Sequence, residues 1–248
     1  MMRRRVKKHL PNAITCANLF SGCIGIVFTF QDNLVFAAYA IFLAAIFDFF
    51  DGFASRVLQS FSGIGKDLDS LADMVSFGVL PSAIMYELLL QAPQITHVSD
   101  YLNFIAFLIP VFSALRLAKF NNDTRQADSF IGLPTPANAI LIASIPLIIA
   151  QPQYSNIAHY ILNPYVLSVF IIIMCTLLVA EIPLMSLKFK NRDFNKNFYR
   201  YILLLFSAIL ILFFKFAAVP VVIVMYITLS LIQLKFADGN IVSAKKNF

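Results

Sequence analysis

Four aspartates, Asp48, Asp51, Asp69 and Asp73, fall in two pairs spaced three and four residues apart within the stretch DFFDGFASRVLQSFSGIGKDLDSLAD at residues 48–73. On two helices joined by a short turn, such spacing aims four carboxylates at one point. With a rise of about 1.5 Å per residue, each pair lies roughly 15 to 20 Å from the turn, so all four can share one depth. Four carboxylates cannot stay ionised together in a low-dielectric site without compensation, because like charges disfavour each other's ionisation. Divalent cations held through oxygen are the simplest compensation. With only carboxylates on offer, the choice falls on Mg²⁺ or Mn²⁺ over zinc or copper.

The residues between the pairs narrow this further. Gly52 and Gly65 allow close backbone approach at the mouth of the site, and Arg56, one turn beyond Gly52, offers a forked donor to phosphate. The local chemistry reads as metal-assisted phosphoryl transfer. An isolated Asp51-Gly52 would be only a turn; four spaced acids are more than that. Acids inside a membrane also mark proton or cation pathways, a reading that leaves the glycines and Arg56 unexplained.

The elements that must position these groups are apolar. Of 248 residues 60% are hydrophobic and 13% charged, and the mean hydropathy is +0.80, beyond what a soluble domain of this size needs. The expected fold is all-α, a polytopic membrane bundle forming a single catalytic domain over residues 1–248, with a basic cytosolic segment at residues 1–12. Cys16, Cys23 and Cys175 lie in apolar segments and form neither a disulfide framework nor a zinc pattern.

The apolar stretches predict about eight spans, near residues 14–30, 34–58, 66–90, 101–120, after Pro136, 165–180, up to 214, and 217–234. Counting alternate ends puts eighteen of the nineteen Lys and Arg residues on one side, leaving only Lys215 opposite. Positive loops face the cytosol, so both termini and the turn of the acidic stretch are expected there. The N-terminal cations serve as a topology signal or as a surface helix drawn to anionic lipid. No small-residue cleavage site precedes Gln31, so the first span is expected to be retained.

At the acidic stretch the chain resembles the CDP-alcohol phosphotransferase family, whose motif is D-x-x-D-G-x-x-A-R, eight residues, then G-x-x-x-D-x-x-x-D. Seven of the eight fixed positions match, at Asp48, Asp51, Gly52, Arg56, Gly65, Asp69 and Asp73; Ser55 stands where the family has Ala. The resemblance implies that Asp48, Asp51 and Asp69 bind metal, two ions of Mg²⁺ or Mn²⁺, on the diphosphate of a CDP-linked substrate. It implies that Asp73 completes the metal site or acts as general base, the base role being favoured because an alcohol is a weak nucleophile at neutral pH. Gly52, Ser55, Arg56 and Gly65, with Asn12 and Thr15, would form the nucleotide and diphosphate site.

Over its full length the chain is similar to one branch of that family, the CDP-diacylglycerol–serine O-phosphatidyltransferases. Carrying this are the opening Pro11-Asn12-Ala13-Ile14-Thr15-Cys16-Ala17-Asn18, the run DSLADMVSFGVLP from Asp69, Arg116-Leu117-Ala118-Lys119-Phe120-Asn121, and Phe130-Ile131-Gly132-Leu133-Pro134-Thr135-Pro136-Ala137. The implied substrates are CDP-diacylglycerol and L-serine, in a bacterial cytoplasmic membrane with the site facing the cytosol. Arg116 and Asn121 would meet serine, Arg116 through paired hydrogen bonds to its carboxylate or else as an anchor at headgroup level. Glycerol 3-phosphate, inositol phosphate and choline are the alternative acceptors, and a cation transporter is the rival outside the class. A homodimer is implied, membrane lipid surrounds the chain, and no nucleic acid partner is expected.

Overall fold

The polar turn at residues 31–33 folds the first two helices into a hairpin. Asn33 caps the second by accepting from the Phe36 amide at 3.4 Å, and Asp32 takes a left-handed φ of 58° to close the turn. The computed structural model describes residues 2–59, 63–93, 100–123, 129–186 and 193–245. Helix α1 is Met2–Phe30 and α2 is Leu34–Val57. After the turn come α3 (Gly65–Asp73), a π-helical segment Met74–Val79, and α4 (Leu80–Gln91), which together form one long apolar rod.

In a bilayer, helices associate through close van der Waals packing of small residues, because lipid tails are as apolar as leucine. Gly22 and Gly25 play that part on α1. A Cβ at Gly22 would lie 2.4 Å from Ser76 Oγ and 3.0 Å from Ser76 Cα; one at Gly25 would lie 2.4 Å from the Leu80 side chain. Ala37, Ala38, Ala40 and Ala44 of α2 are buried in the same seam, and Phe77, Leu80, Ile84 and Leu88 fill the core beside it. The helix carrying Asp73 is thereby pressed against α1.

A 3₁₀ segment Asp100–Phe107 leads into α5 (Leu108–Asn122). Strand β1 (Ser129–Ile131) precedes α6 (Thr135–Ile149), which begins at the expected proline pair, with Pro134 as its N-cap. The chain then bends by 94° through Pro152–Tyr154 into α7 (Ser155–Ile161). Next come α8 (Pro164–Val179), β2 (Pro183–Met185), α9 (Phe194–Phe214), a 3₁₀ turn Lys215–Ala217 with Lys215 at φ 50°, and α10 (Ala218–Lys245).

β1 and β2 pair antiparallel, Phe130 opposite Leu184. β2 is pinned from the C-terminal hairpin: the Tyr226 hydroxyl donates to Met185 O at 2.9 Å, the Met185 amide to Ser230 Oγ at 3.1 Å, and Arg200 Nε to Ser186 O at 2.7 Å. The segment before α6 is docked as well. Gly132 N donates to Ile182 O and Leu133 N to Leu177 O, each at 2.9 Å. Gly132 has φ +76°, and a Cβ there would lie 2.6 Å from Leu178 O, so this position requires glycine.

The chain is an all-helical membrane bundle with one short ribbon. Its outer face carries large apolar side chains such as Phe20, Phe30, Phe36, Leu212 and Phe213. Among the described residues, five helices have the length and apolar composition to cross a membrane, or six if the bent pair α6 and α7 is one span. The expected eight differs from this count for two reasons. Helix α8 has 16 residues, fewer than the roughly 20 that span the hydrocarbon. The run Asn197–Lys235, 39 residues long, counts once, although α9 and α10 pack against each other across the break at Lys215. Of the cations counted on the cytosolic side, Arg125, Lys188, Lys190, Arg192 and Lys246 lie outside the described residues.

Gly22→Ala is expected to cost about 1–3 kcal/mol by forcing α1 off the Ser76 backbone, read as a lowered melting temperature of the detergent-solubilised protein. Gly63→Ala, where a Cβ meets nothing within 4 Å, should leave it unchanged.

Candidate active site

Asp48 and Asp51 face inward from the last turns of α2, and Asp69 and Asp73 from α3. Carboxylate oxygens of Asp48, Asp51 and Asp69 all lie within 4.8 Å of one another. Ligand atoms about 2.0–2.1 Å from a small divalent cation are at most about 4.2 Å apart, so a modest side-chain adjustment closes the three around an ion. Asp51 Oδ2 and Asp69 Oδ1 are buried with no hydrogen-bond partner. Three converging carboxylates, two of them with a buried and unpaired oxygen, are the donor set that a hard divalent metal takes.

Asp73 stands apart from this group. It is 8% exposed and within electrostatic reach of Asp48, Asp69 and Asp51. Its Oδ1 accepts from Asn18 Nδ2 at 3.3 Å. Asn18, fully buried on α1, is in turn held because its own carbonyl accepts from Ser76 Oγ at 3.0 Å. In the sequence, Asn18 only ends the motif that opens at Pro11, which gives it no role. A signal for it does exist in the sequence: Pro11, Thr15, Asn18, Gly22, Gly25 and Thr29 recur three and four residues apart along one face of α1. That face touches the rod carrying Asp73.

The other expected site residues divide. Thr15, 4% exposed, sits beside Asp51 and donates from Oγ1 to Pro11 O at 3.0 Å. Asn12 and Ser55 are half-buried on the helices that flank the acids. Gly52 leaves open space: the nearest atom to a Cβ there is a terminal nitrogen of Arg56, at 3.9 Å. Exposed Arg56 folds back so that Nε donates to Gly52 O at 2.8 Å, and Gly65 begins α3. Asp67, a fifth acid in the stretch, is exposed.

Arg116 is brought to the acids and Asn121 is placed differently. Arg116, 6% exposed, donates from Nε to Leu133 O at 2.7 Å, lies 5.6 Å over the Phe120 ring and feels the charge of Asp73. Asn121 ties α5 to α3: its Nδ2 donates to Ser70 Oγ at 2.8 Å, and its carbonyl accepts from Lys66 Nζ at 2.7 Å.

The arrangement therefore offers three convergent carboxylates, a fourth held separately by an amide, an open glycine face at the mouth, and a buried guanidinium within electrostatic reach of the fourth acid. It can hold a divalent cation against an anionic substrate and hold a separate proton acceptor.

Comparison with known proteins agrees with the motif. Residues 8–180 match the sequence model of a family described as CDP-alcohol phosphatidyltransferase. The chain is 35% identical over 153 residues to a CDP-diacylglycerol–serine O-phosphatidyltransferase of Bacillus subtilis, covering 60% of this chain and 78% of that one. It is 28% identical over 213 residues to a protein of the same name in Helicobacter pylori, covering 81% of each. An archaetidylserine synthase of Methanothermobacter thermautotrophicus is 33% identical over 141 residues, 56% of this chain and 58% of that one. With the family's sequence model covering most of its length and the acids of its motif gathered in one place, this chain belongs to the CDP-alcohol phosphatidyltransferase family.

Proposed function

We propose that this membrane enzyme transfers a phosphatidyl group from CDP-diacylglycerol to the hydroxyl of L-serine, giving phosphatidylserine and CMP. The names of its relatives support the substrates. The observation that carries the reaction is the division of four carboxylates into a convergent three and a fourth oriented by Asn18.

Asp48, Asp51 and Asp69, with Asp73 at the edge of the group, are the residues that would hold Mg²⁺ or Mn²⁺, two ions in this reading, which when bound neutralise charge on the diphosphate and on the departing CMP. The cytidine and diphosphate lie against Gly52, Ser55, Arg56 and Gly65, with Asn12 and Thr15 on α1. Asp73 takes the proton of the serine hydroxyl as its oxygen bonds to the phosphorus carrying the diacylglycerol. The bond from that phosphorus to the CMP oxygen breaks, and CMP leaves with the electron pair. Asn18 positions Asp73 by fixing one carboxylate oxygen. Arg116 receives the serine carboxylate, and Asn121 frames the entrance through its tie to Ser70.

The site opens to the cytosol of a bacterial cytoplasmic membrane, with both termini on that side, as the placement of Lys and Arg supports. A homodimer belongs to the same reading.

Purified protein in detergent with CDP-diacylglycerol and Mg²⁺ or Mn²⁺ should release CMP only when serine is added. Chelation should abolish release and either metal restore it. No metal-dependent release with any alcohol would sink the enzyme reading; release with glycerol 3-phosphate but not serine would change the acceptor.

Asp73→Asn should lower turnover by about 10²–10⁴ while keeping CDP-diacylglycerol binding better than Asp51→Asn does. Equal loss of binding in both would argue against a separate base. Asn18→Ala should lower kcat roughly ten- to hundredfold, the worth of a hydrogen bond to a charged group, with KM for CDP-diacylglycerol unchanged. A fall in melting temperature with KM altered for both substrates would instead mark Asn18 as structural.

A further inference from the structure

Behind Asp73 and Arg116 lies a layer of polar side chains that the reaction scheme leaves unused. Ser82 on α4, Ser113 on α5, and Thr135 and Asn138 on α6 are each 0% exposed. Among the described residues, Ser82 Oγ, Ser113 Oγ, Thr135 Oγ1 and both Asn138 amide atoms have no hydrogen-bond partner. Native proteins satisfy nearly all buried polar atoms, and an orphaned amide in an apolar bundle destabilises the fold. Such a cluster marks a place where something polar arrives.

Its location follows from helix phase. Ser113 is three residues before Arg116 on α5, so the two share a face, and Ser113 Cβ lies 3.3 Å from a Cβ built on Gly78. Gly78 belongs to the π segment directly after Asp73. On α6, Thr135, Asn138, Ile142 and Ile149 fall on one stripe. Ile149, with neighbouring Pro146, lines a cavity with Leu34 and Val35 of α2 and Leu88 and Gln91 of α4, so the stripe faces the groove between α2 and the rod, and α6 packs against the π segment as well. Its first turn is thus aimed at the level of the π segment, just past Asp73.

This first turn is also electropositive. No side chain caps α6, whose N-cap is Pro134, leaving amide donors and the positive helix end free. Arg116 is pinned there because Nε bonds Leu133 O, one residue before that cap. Among the described residues, its two terminal nitrogens make no hydrogen bond.

We infer that Thr135 and Asn138, at the N-terminus of α6, form with Arg116 the pocket that receives the carboxylate of the acceptor and selects an amino acid over a simple amino alcohol. The inference rests on the serine reading above. Thr135 Oγ1, Asn138 Nδ2 and Arg116 are all donors, which suits a carboxylate. Asp73 on the other side suits the hydroxyl and ammonium end. The order of charge across the site, guanidinium and helix end on one side and carboxylates on the other, matches a zwitterion lying between them. The unpaired state of Thr135 and Asn138 is then preorganisation: their partner is the substrate.

The test measures CMP release from CDP-diacylglycerol by the full-length protein, comparing L-serine, L-serinamide and ethanolamine as acceptors, for wild type, Thr135→Val, Thr135→Ser and Asn138→Leu. Wild type should favour serine over both analogues lacking the carboxylate. Thr135→Val and Asn138→Leu should each raise KM for serine about tenfold or more, as expected for losing a hydrogen bond to a charged group. KM for CDP-diacylglycerol should stay within about twofold, a change smaller than one hydrogen bond produces. Thr135→Ser should keep the wild-type value, and the preference for serine over serinamide should shrink in the two apolar variants.

Melting temperatures without substrate should be equal to or above wild type, because an orphaned polar group has been removed. Unchanged KM for serine in both apolar variants overturns the pocket while leaving the serine reading intact. A lowered melting temperature with KM raised for both substrates overturns it in favour of a structural role. Wild-type release with another alcohol but not with serine overturns the serine reading and the pocket with it.

Discussion

Concentrating four carboxylates in an apolar bundle is the constraint on which the rest of this structure depends. In a low dielectric, each added negative charge raises the cost of the others. The fold answers by spreading the demand: three acids converge where one cation can serve them, and the fourth is given an amide and a nearby guanidinium. Each answer requires a different helix. The convergent three need α2 and α3, the amide needs α1, and the guanidinium needs α5 held by the segment that opens α6. Five helices are thus tied to one patch of charge.

That dependence explains where the packing is tightest. Asn18 reaches Asp73 only because α1 lies almost backbone to backbone with the π segment at Gly22. Arg116 is held only because Gly132 takes a left-handed turn against the carbonyls at the end of α8, presenting Leu133 O to Nε. The C-terminal hairpin, although outside the residues matched to the family, contributes at one remove. Tyr226 and Ser230 pin β2, which pairs with β1 directly before that turn.

The acidic stretch was legible because its signal is local: residue type and spacing on two adjacent helices. The hairpin at residues 31–33 and the proline start of α6 were legible for the same reason. What escaped depends on distant parts of the chain. The Asn18 bond to Asp73 joins residues 55 apart in sequence, and the tie that Asn121 makes from α5 to Ser70 of α3 spans 51. The pairing of β1 with β2 links two three-residue pieces, too short for any periodicity to announce. Hydropathy alone marks eight apolar stretches, whereas the count of five or six among the described residues also weighs helix length, and α8 has 16 residues.

The π segment at Met74–Val79, closed by the Leu80 amide on Val75 O, has a consequence for how this chain tolerates insertion and deletion. A π turn holds one residue more than an α turn, and one residue in an α-helix is about 100° of rotation. Wound instead as uninterrupted α-helix, the same residues would swing Asp69 and Asp73 about a quarter-turn relative to the Leu80, Ile84 and Leu88 face packed in the core, whereas losing a single residue as the turn reverts to α would roughly keep the phase. The segment acts as a phase adjuster: it lets the lower half of the rod obey the electrostatics of the acids while the upper half obeys the packing of the bundle. This short stretch therefore has two lengths that keep the phase, the present one wound as π and one residue fewer wound as α.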